Sequence, residues 1–261
     1  MYWNFNPIFI DLGFLKIHYY GICFATGIMI AYFCWRWQMT RQGYSEKTTE
    51  DFVMWAFLAV IVGARLGHCF FYEPTHYLTH PWEIIKIWEG GLSSHGATIT
   101  IILALFFFHR IKKIPLGDIC DCFSFSAGVA AIAIRIGNFF NSEIVGRVTD
   151  VPWAIRFVRF EAEPKPRHPS QLYEVGLGLL VVLSLWLVDR HYKEKRPRGI
   201  LAGVFLVVYF TGRFLVEYFK EYQALPNTFP LTMGQILSIP FALAGYFILI
   251  RIFIKSSSNK K

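Results

Sequence analysis

Charge is what this 261-residue chain has least of: Asp, Glu, Lys and Arg make up 17% of it, against about 25% in an ordinary soluble domain. Hydrophobic residues reach 54%, aromatics 18%, and the mean hydropathy is +0.40. So much apolar surface excludes an intrinsically disordered chain. The sequence signals of metal and nucleotide chemistry are also missing. There is no H-E-x-x-H, no paired Asp array for Mg²⁺, no Walker loop and no G-x-S-x-G elbow. The five cysteines, Cys23, Cys34, Cys69, Cys120 and Cys122, lack zinc-site or secreted-disulfide spacing and read as small apolar filler. No metal or other cofactor is implied. The opening MYWNFNPIFIDLGFLKIHYYG lacks a basic start and an A-x-A-like cleavage site, so the first span is expected to stay in place as its own insertion signal.

What is present is a series of apolar runs. The net charge is +8, yet the basic residues sit in short gaps between those runs. That is the pattern of a polytopic membrane protein rather than of a nucleic-acid binder. Seven spans are read at 19–37, 52–71, 96–108, 119–136, 171–188, 200–218 and 232–254. Most approach the ~20 residues that cross ~30 Å of hydrocarbon, and the third is short. The expected fold is an all-α polytopic membrane protein of seven transmembrane helices, a single integral membrane domain over 1–261. Of the 26 lysines and arginines, fifteen lie in the gaps at 36–47, 110–113, 190–198 and 251–261, and eight lie in the other gaps. The richer set is expected in the cytoplasm, with the N-terminus outside and the C-terminus inside. The longest connection, 137–170, contains VPWAIRFVRF, a strand-like stretch, and is expected to form a small extracytoplasmic cap. The cytoplasmic gaps are too short for a nucleotide-binding domain, and no internal repeat points to a transporter of inverted halves.

Three arginines remain inside spans: Arg65, Arg135 and Arg213. A charge at mid-helix costs about 2.5–3.5 kcal/mol on insertion scales. At 1.5 Å per residue, Arg65 and Arg213 lie roughly 20 Å, and Arg135 roughly 24 Å, from the inner ends of their spans. All three therefore share the outer half of the bilayer, level with Tyr20 and His95. Tyr209, Arg213, Glu217 and Lys220 recur on one helix face, as do Arg65, His68 and Tyr72. Snorkelling explains one such arginine. Three at one depth fit a cationic pocket better, because a guanidinium fork binds phosphate through two hydrogen bonds and keeps its charge. An anionic phospholipid is the natural ligand at that level.

The densest polar motif runs Arg135-Ile-Gly-Asn138-Phe-Phe-Asn141-Ser-Glu143-Ile-Val-Gly146-Arg147. Two others are Glu89-Gly-Gly-Leu-Ser-Ser-His95-Gly96 and Arg167-His168-Pro-Ser170-Gln171-Leu-Tyr173-Glu174, the second of which also reads as a helix start. These stretches, together with HYYG at 18–21, GARLG at 63–67, GRFLVEYFKE at 212–221 and TMGQILSIP at 232–240, resemble the bacterial prolipoprotein diacylglyceryl transferases in the same order along nearly the whole chain. The resemblance implies a multi-pass enzyme of the bacterial plasma membrane, with its active site toward the extracytoplasmic side. It would move a diacylglyceryl group from phosphatidylglycerol to the lipobox cysteine of a prolipoprotein signal peptide, with glycerol phosphate released and no nucleic acid involved. The family's important residues fall on Arg135, Arg213, His95, Tyr20, Asn138, Glu143, Gly146, Tyr209 and Glu217. Four positions depart from the pattern: Ser142, Ala64 and Ala97 stand where glycine is expected, and Lys220 where arginine is expected.

The thioether product requires the substrate thiol to attack a glycerol carbon, so a base must take its proton. By residue type that base is His95. Arg135 and Arg213 would neutralise charge on the leaving phosphate. Arg65, Tyr20, Asn138 and Tyr209 would position lipid or peptide, and Glu143 and Glu217 would orient arginines. Two rivals make different predictions. A flippase for anionic lipids would use the same pocket without a base and would show broken helices and repeats. An intramembrane hydrolase would need a serine–histidine pair or metal ligands deep in the bilayer.

Overall fold

The computed structural model describes residues 1–222 and 229–258. Among them are eight α-helices: α1 (Tyr19–Arg41), α2 (Glu46–Phe71), α3 (Pro74–Thr79), α4 (Ser94–Lys112), α5 (Leu116–Asn141), α6 (Ser170–Tyr192), α7 (Ile200–Val216) and α8 (Met233–Ser258). Six are long and apolar enough to cross a membrane: α2, α4, α5, α6, α8, and α7 together with the 3-10 turn Glu217–Phe219 that follows it. α1 has 23 residues, about 34 Å of helix. Arg36, Gln38, Thr40 and Arg41 dilute its second half, so it meets the length criterion but not the apolar one. On the helix surfaces large apolar side chains such as Phe33, Phe57, Phe106, Leu183 and Phe247 face outward. Helices that put their apolar side chains outward in this way are suited to lipid.

The helix ends follow from local chemistry. Ser93 accepts the Gly96 amide at 3.2 Å, so α4 starts before the expected span, and it runs to Lys112 before Lys113 turns left-handed at φ 55°. Thr232 and Gln235 exchange side-chain-to-amide bonds of 3.0 and 3.2 Å, a capping box that starts α8. Asp121 of α5 takes two amides at the start of α7, Gly199 and Ala202, each at 2.8 Å.

The chain forms two compact units, Arg36–Cys120 and Met1–Trp35 with Asp121–Lys261. In the first, α2 lies against α4 through small residues. A Cβ on Gly67 would stand 2.6 Å from the Gly96 Cα, and Thr100 Oγ1 donates to the Ala59 carbonyl at 2.6 Å. Without side chains between them the two backbones approach closely, the usual basis of helix packing in lipid.

In the second unit α6, α7 and α8 pack in succession, with Phe125, Leu177, Val181, Leu185, Ile200 and Leu201 as its apolar core. Short strands lie at its other end. β1 (Tyr2–Trp3) pairs parallel with β4 (Ile155–Phe157), which pairs antiparallel with β5 (Pro166–Arg167). β2 (Ile8–Asp11) and β3 (Lys16–His18) form a hairpin. The strand expected in VPWAIRFVRF shrinks to Ile155–Phe157, because its two partners are themselves two-residue strands, β1 pairing Arg156 and Phe157 and β5 pairing Ile155 and Arg156. α5 continues through Asn141, and the chain then reverses through two left-handed residues, Ser142 at φ 59° and Ile144 at φ 55°. From there Val145, Ile155 and Phe157 bury themselves against Trp3 and Phe139.

Candidate functional site

The start of α6 is pinned to the segment after α5. Ser170 Oγ donates to the Ile144 carbonyl at 2.9 Å and Gln171 Nε2 to the Glu143 carbonyl at 2.6 Å. One turn further along α6, Glu174 is only 5% exposed. A buried carboxylate is costly by several kcal/mol unless it is paired. Here three cations from other elements converge on it. Arg135 Nε of α5 lies 2.9 Å from Oε2, while Arg213 Nη1 of α7 and Lys220 Nζ lie 3.5 and 3.7 Å from Oε1. Lys220, itself 3% exposed, is also 3.2 Å from Glu217 Oε2. Gly234 of α8 leaves the room Glu217 needs, since a Cβ there would collide with the carboxylate.

A guanidinium carries five N–H donors, and those of Arg135 and Arg213 are only partly used. Arg135 engages Glu174 and, through Nη1 at 3.2 Å, Asn138 Oδ1. Arg213 engages Glu174 through Nη1 and shares a side-chain hydrogen bond with Tyr209. Among the described residues these contacts leave part of each guanidinium's donor set unused. Asn138 is a relay: its Nδ2 donates to Glu143 Oε2 at 3.3 Å, and Asn141 Nδ2 donates to the other Glu143 oxygen at 3.1 Å. The Tyr20 ring lies against Gly137, where a Cβ would come within 2.7 Å of it.

Gly146 threads between two backbones. Its amide donates to the His168 carbonyl at 3.0 Å, and a Cβ would meet the carbonyl oxygens of His168 and Phe219 at 2.5 and 2.6 Å. Arg147 then donates from Nε to the Lys220 carbonyl at 2.8 Å, which ties the post-α5 segment to the end of α7. Arg167 completes the frame. It grips both oxygens of Glu161 at 2.9 Å, reaches Glu221 at 2.6 Å and the Gly146 carbonyl at 3.1 Å. This clamp holds the Glu161 carboxyl down at about 2, mainly through the Arg167 hydrogen bonds. Burial pushes the neighbouring His168 imidazole below its usual value.

Arg135, Arg213, Asn138, Glu143, Gly146, Tyr209, Glu217 and Tyr20 all belong to the unit that contains Glu174. His95 and Arg65 belong to the other. His95 stands in the first turn of α4 with Nδ1 3.4 Å from the Tyr72 hydroxyl, and the Tyr72 ring stacks on His68. The phosphate role expected of Arg65 meets a different arrangement. Its Nε donates to the Ile84 carbonyl at 2.9 Å, Nη1 to Gly90 at 2.7 Å and Nη2 to Glu83 at 2.5 Å, and the group lies over Tyr77. Each of its nitrogens is occupied by main chain, so it staples the loop 83–91 that leads to His95.

Two members of the site had no role assigned from sequence. Glu174 lay in a motif that also reads as a helix start, and Lys220 was only a departure from pattern. An acid one turn inside an apolar span was the available signal, because such a group needs a cationic partner.

Apolar helices of spanning length, with a buried cluster of arginines, a lysine and carboxylates within one unit, define a polytopic membrane protein. The comparisons give the family. Residues 7–251 match the family described as prolipoprotein diacylglyceryl transferase. The chain is 39% identical to the phosphatidylglycerol–prolipoprotein diacylglyceryl transferase of Bacteroides fragilis, over 94% of this chain and 92% of that one. It is 39% identical to the protein of the same name from Tolumonas auensis, over 94% and 95%, and 41% to that of Chloroherpeton thalassium, over 94% and 91%. The chain belongs to the prolipoprotein diacylglyceryl transferase family.

Proposed function

We propose that this protein transfers the diacylglyceryl group of phosphatidylglycerol to the thiol of the lipobox cysteine in a prolipoprotein, the first step of lipoprotein maturation. The observation that carries the reading is the pair of guanidiniums with donors to spare, Arg135 and Arg213, meeting at one buried carboxylate. Two forks at one point match a phosphodiester, which offers several oxygens to bidentate donors.

In the reaction the cysteine sulfur loses its proton and bonds to the glycerol carbon that carries the phosphate. The carbon–oxygen bond breaks and its electron pair leaves on the phosphate oxygen. The headgroup enters as a monoanionic diester and leaves as glycerol phosphate with one more negative charge. Arg135 and Arg213 stabilise that added charge as it develops, in surroundings that screen it poorly. Asn138 keeps Arg135 oriented through Glu143. Tyr20 and Tyr209 flank the two arginines and position lipid or peptide. His95 is the proposed proton acceptor, since a neutral imidazole takes a proton near neutral pH.

The proposed setting is the bacterial plasma membrane, with α1 as a seventh span, the N-terminus outside, the C-terminus in the cytoplasm and the segment 142–169 on the extracytoplasmic side. The basic gaps at 36–47, 110–113 and 190–198 support that orientation. The test is purified protein with phosphatidylglycerol and a lipobox peptide. Thioether-linked mass gain with release of glycerol phosphate is expected, and lipid movement without either product would refute the transferase. A fully active His95→Gln would remove the base, and Arg135→Ala and Arg213→Ala proteins that insert normally and lipidate at the parental rate would remove the electrostatic role.

A further inference from the structure

We infer that Glu174 is an exchangeable counter-ion: its carboxylate occupies the phosphate's place between Arg135 and Arg213 when the site is empty, and its return expels glycerol phosphate after transfer. The inference rests on the function proposed above and adds a role for a positioning residue that acts through the two arginines.

Geometry separates Glu174 from the ion pairs that hold this unit together. Arg167 grips Glu161 with two parallel bonds of 2.9 Å, and Arg196 Nη1 meets Asp189 at 2.6 Å. Glu174 has three cations and no fork. Its contacts are single, at 2.9, 3.5 and 3.7 Å, and Oε2 is buried without a well-directed hydrogen bond. Strong charge attraction with poor hydrogen-bond geometry describes a group held in place but easily replaced by a better-shaped anion. A tetrahedral phosphate is such an anion.

The charges of the cluster give the exchange a direction. Arg135, Arg213 and Lys220 face Glu174, Glu217 and, through Asn138, Glu143, three cations against three carboxylates. A phosphodiester adds one negative charge to that balanced set. The product dianion adds two, so with Glu174 ionised the product is held less well than the lipid it came from. Lys220 suits this arrangement: its ammonium lies between the two carboxylates and offsets them, a task that needs a point charge rather than a fork.

The experiment measures glycerol phosphate binding to the full purified chain by calorimetry, alongside steady-state and burst kinetics with phosphatidylglycerol and a lipobox peptide. Glu174→Gln keeps the shape and removes the charge. Its glycerol phosphate Kd should fall at least about tenfold, which is 1.4 kcal/mol. The KM for the lipid should fall, and one fast turnover should precede a slow steady state. Glu174→Asp should bind the product within a fewfold of the parent. Should Glu174→Gln not fold, Lys220→Gln tests the same charge balance in the opposite direction and should weaken product binding. An unchanged product Kd in Glu174→Gln, or tighter binding in Lys220→Gln, overturns the inference. A parent protein that forms no thioether would instead overturn the function, while the order of the binding constants still decides the role of Glu174.

Discussion

Ser142 shows how a single position can be strained without gain. It sits at φ 59° with its hydroxyl buried and unpartnered. Left-handed backbone costs a side-chain-bearing residue about 1–2 kcal/mol, while glycine returns roughly 0.5–1 kcal/mol through its freer unfolded chain. Ser142→Gly should therefore raise the thermal midpoint, by up to about 1 kcal/mol of stability, and a lowered midpoint would refute the strain. Arg213→Lys keeps the charge and loses the fork, so kcat should drop roughly 100- to 1,000-fold, the loss typical of a transition-state donor. A rate within a fewfold of the parent would show that point charge suffices there. Much of this site was legible residue by residue, because an arginine inside an apolar run is conspicuous. Glu174 was not, because its meaning lies in contacts with residues 39 and 46 positions away along the chain, and no local pattern encodes those. Arg65 misled for a related reason: depth alone cannot distinguish a guanidinium facing a ligand from one facing main-chain carbonyls.

Among the elements, the helices were legible and the strands barely so. Apolar runs located the helices, whereas β4 exists because Tyr2 and Trp3 pair with it on one side and Pro166 and Arg167 on the other. Within the segment between α5 and α6, the Glu161–Arg167 clamp fixes the stretch that leads into β5. Glu161 has a folded value lowered to about 2, so its contribution is fully present above the ordinary carboxylate value and fades as pH falls from there toward 2. Protease cleavage within 148–167 should rise over that window, and Glu161→Gln should show the same cleavage at neutral pH. A flat acid profile would dismiss the clamp. The α2–α4 contact is less forgiving. Gly67→Val would drive a branched side chain into the Gly96 backbone and should leave little folded protein, as judged by monodisperse yield.

At the scale of the molecule, the orientation can be tested through two exposed positions, Asp150 and Lys195. Asp150→Cys should react with a membrane-impermeant maleimide on intact cells, and Lys195→Cys only after permeabilisation. The reverse pattern would invert the topology. The Arg65 staple has a consequence for how such a molecule can drift over evolutionary time. Its grip on Glu83, Ile84 and Gly90 falls on carbonyl oxygens alone, and every amino acid carries one. Side-chain identity at 83, 84 and 90 is thus invisible to the arginine, and the only side-chain chemistry that stretch shows at 83 is the Glu83 carboxylate held by His76 and Lys86, so a change at Ile84 leaves the grip that leads toward His95 untouched.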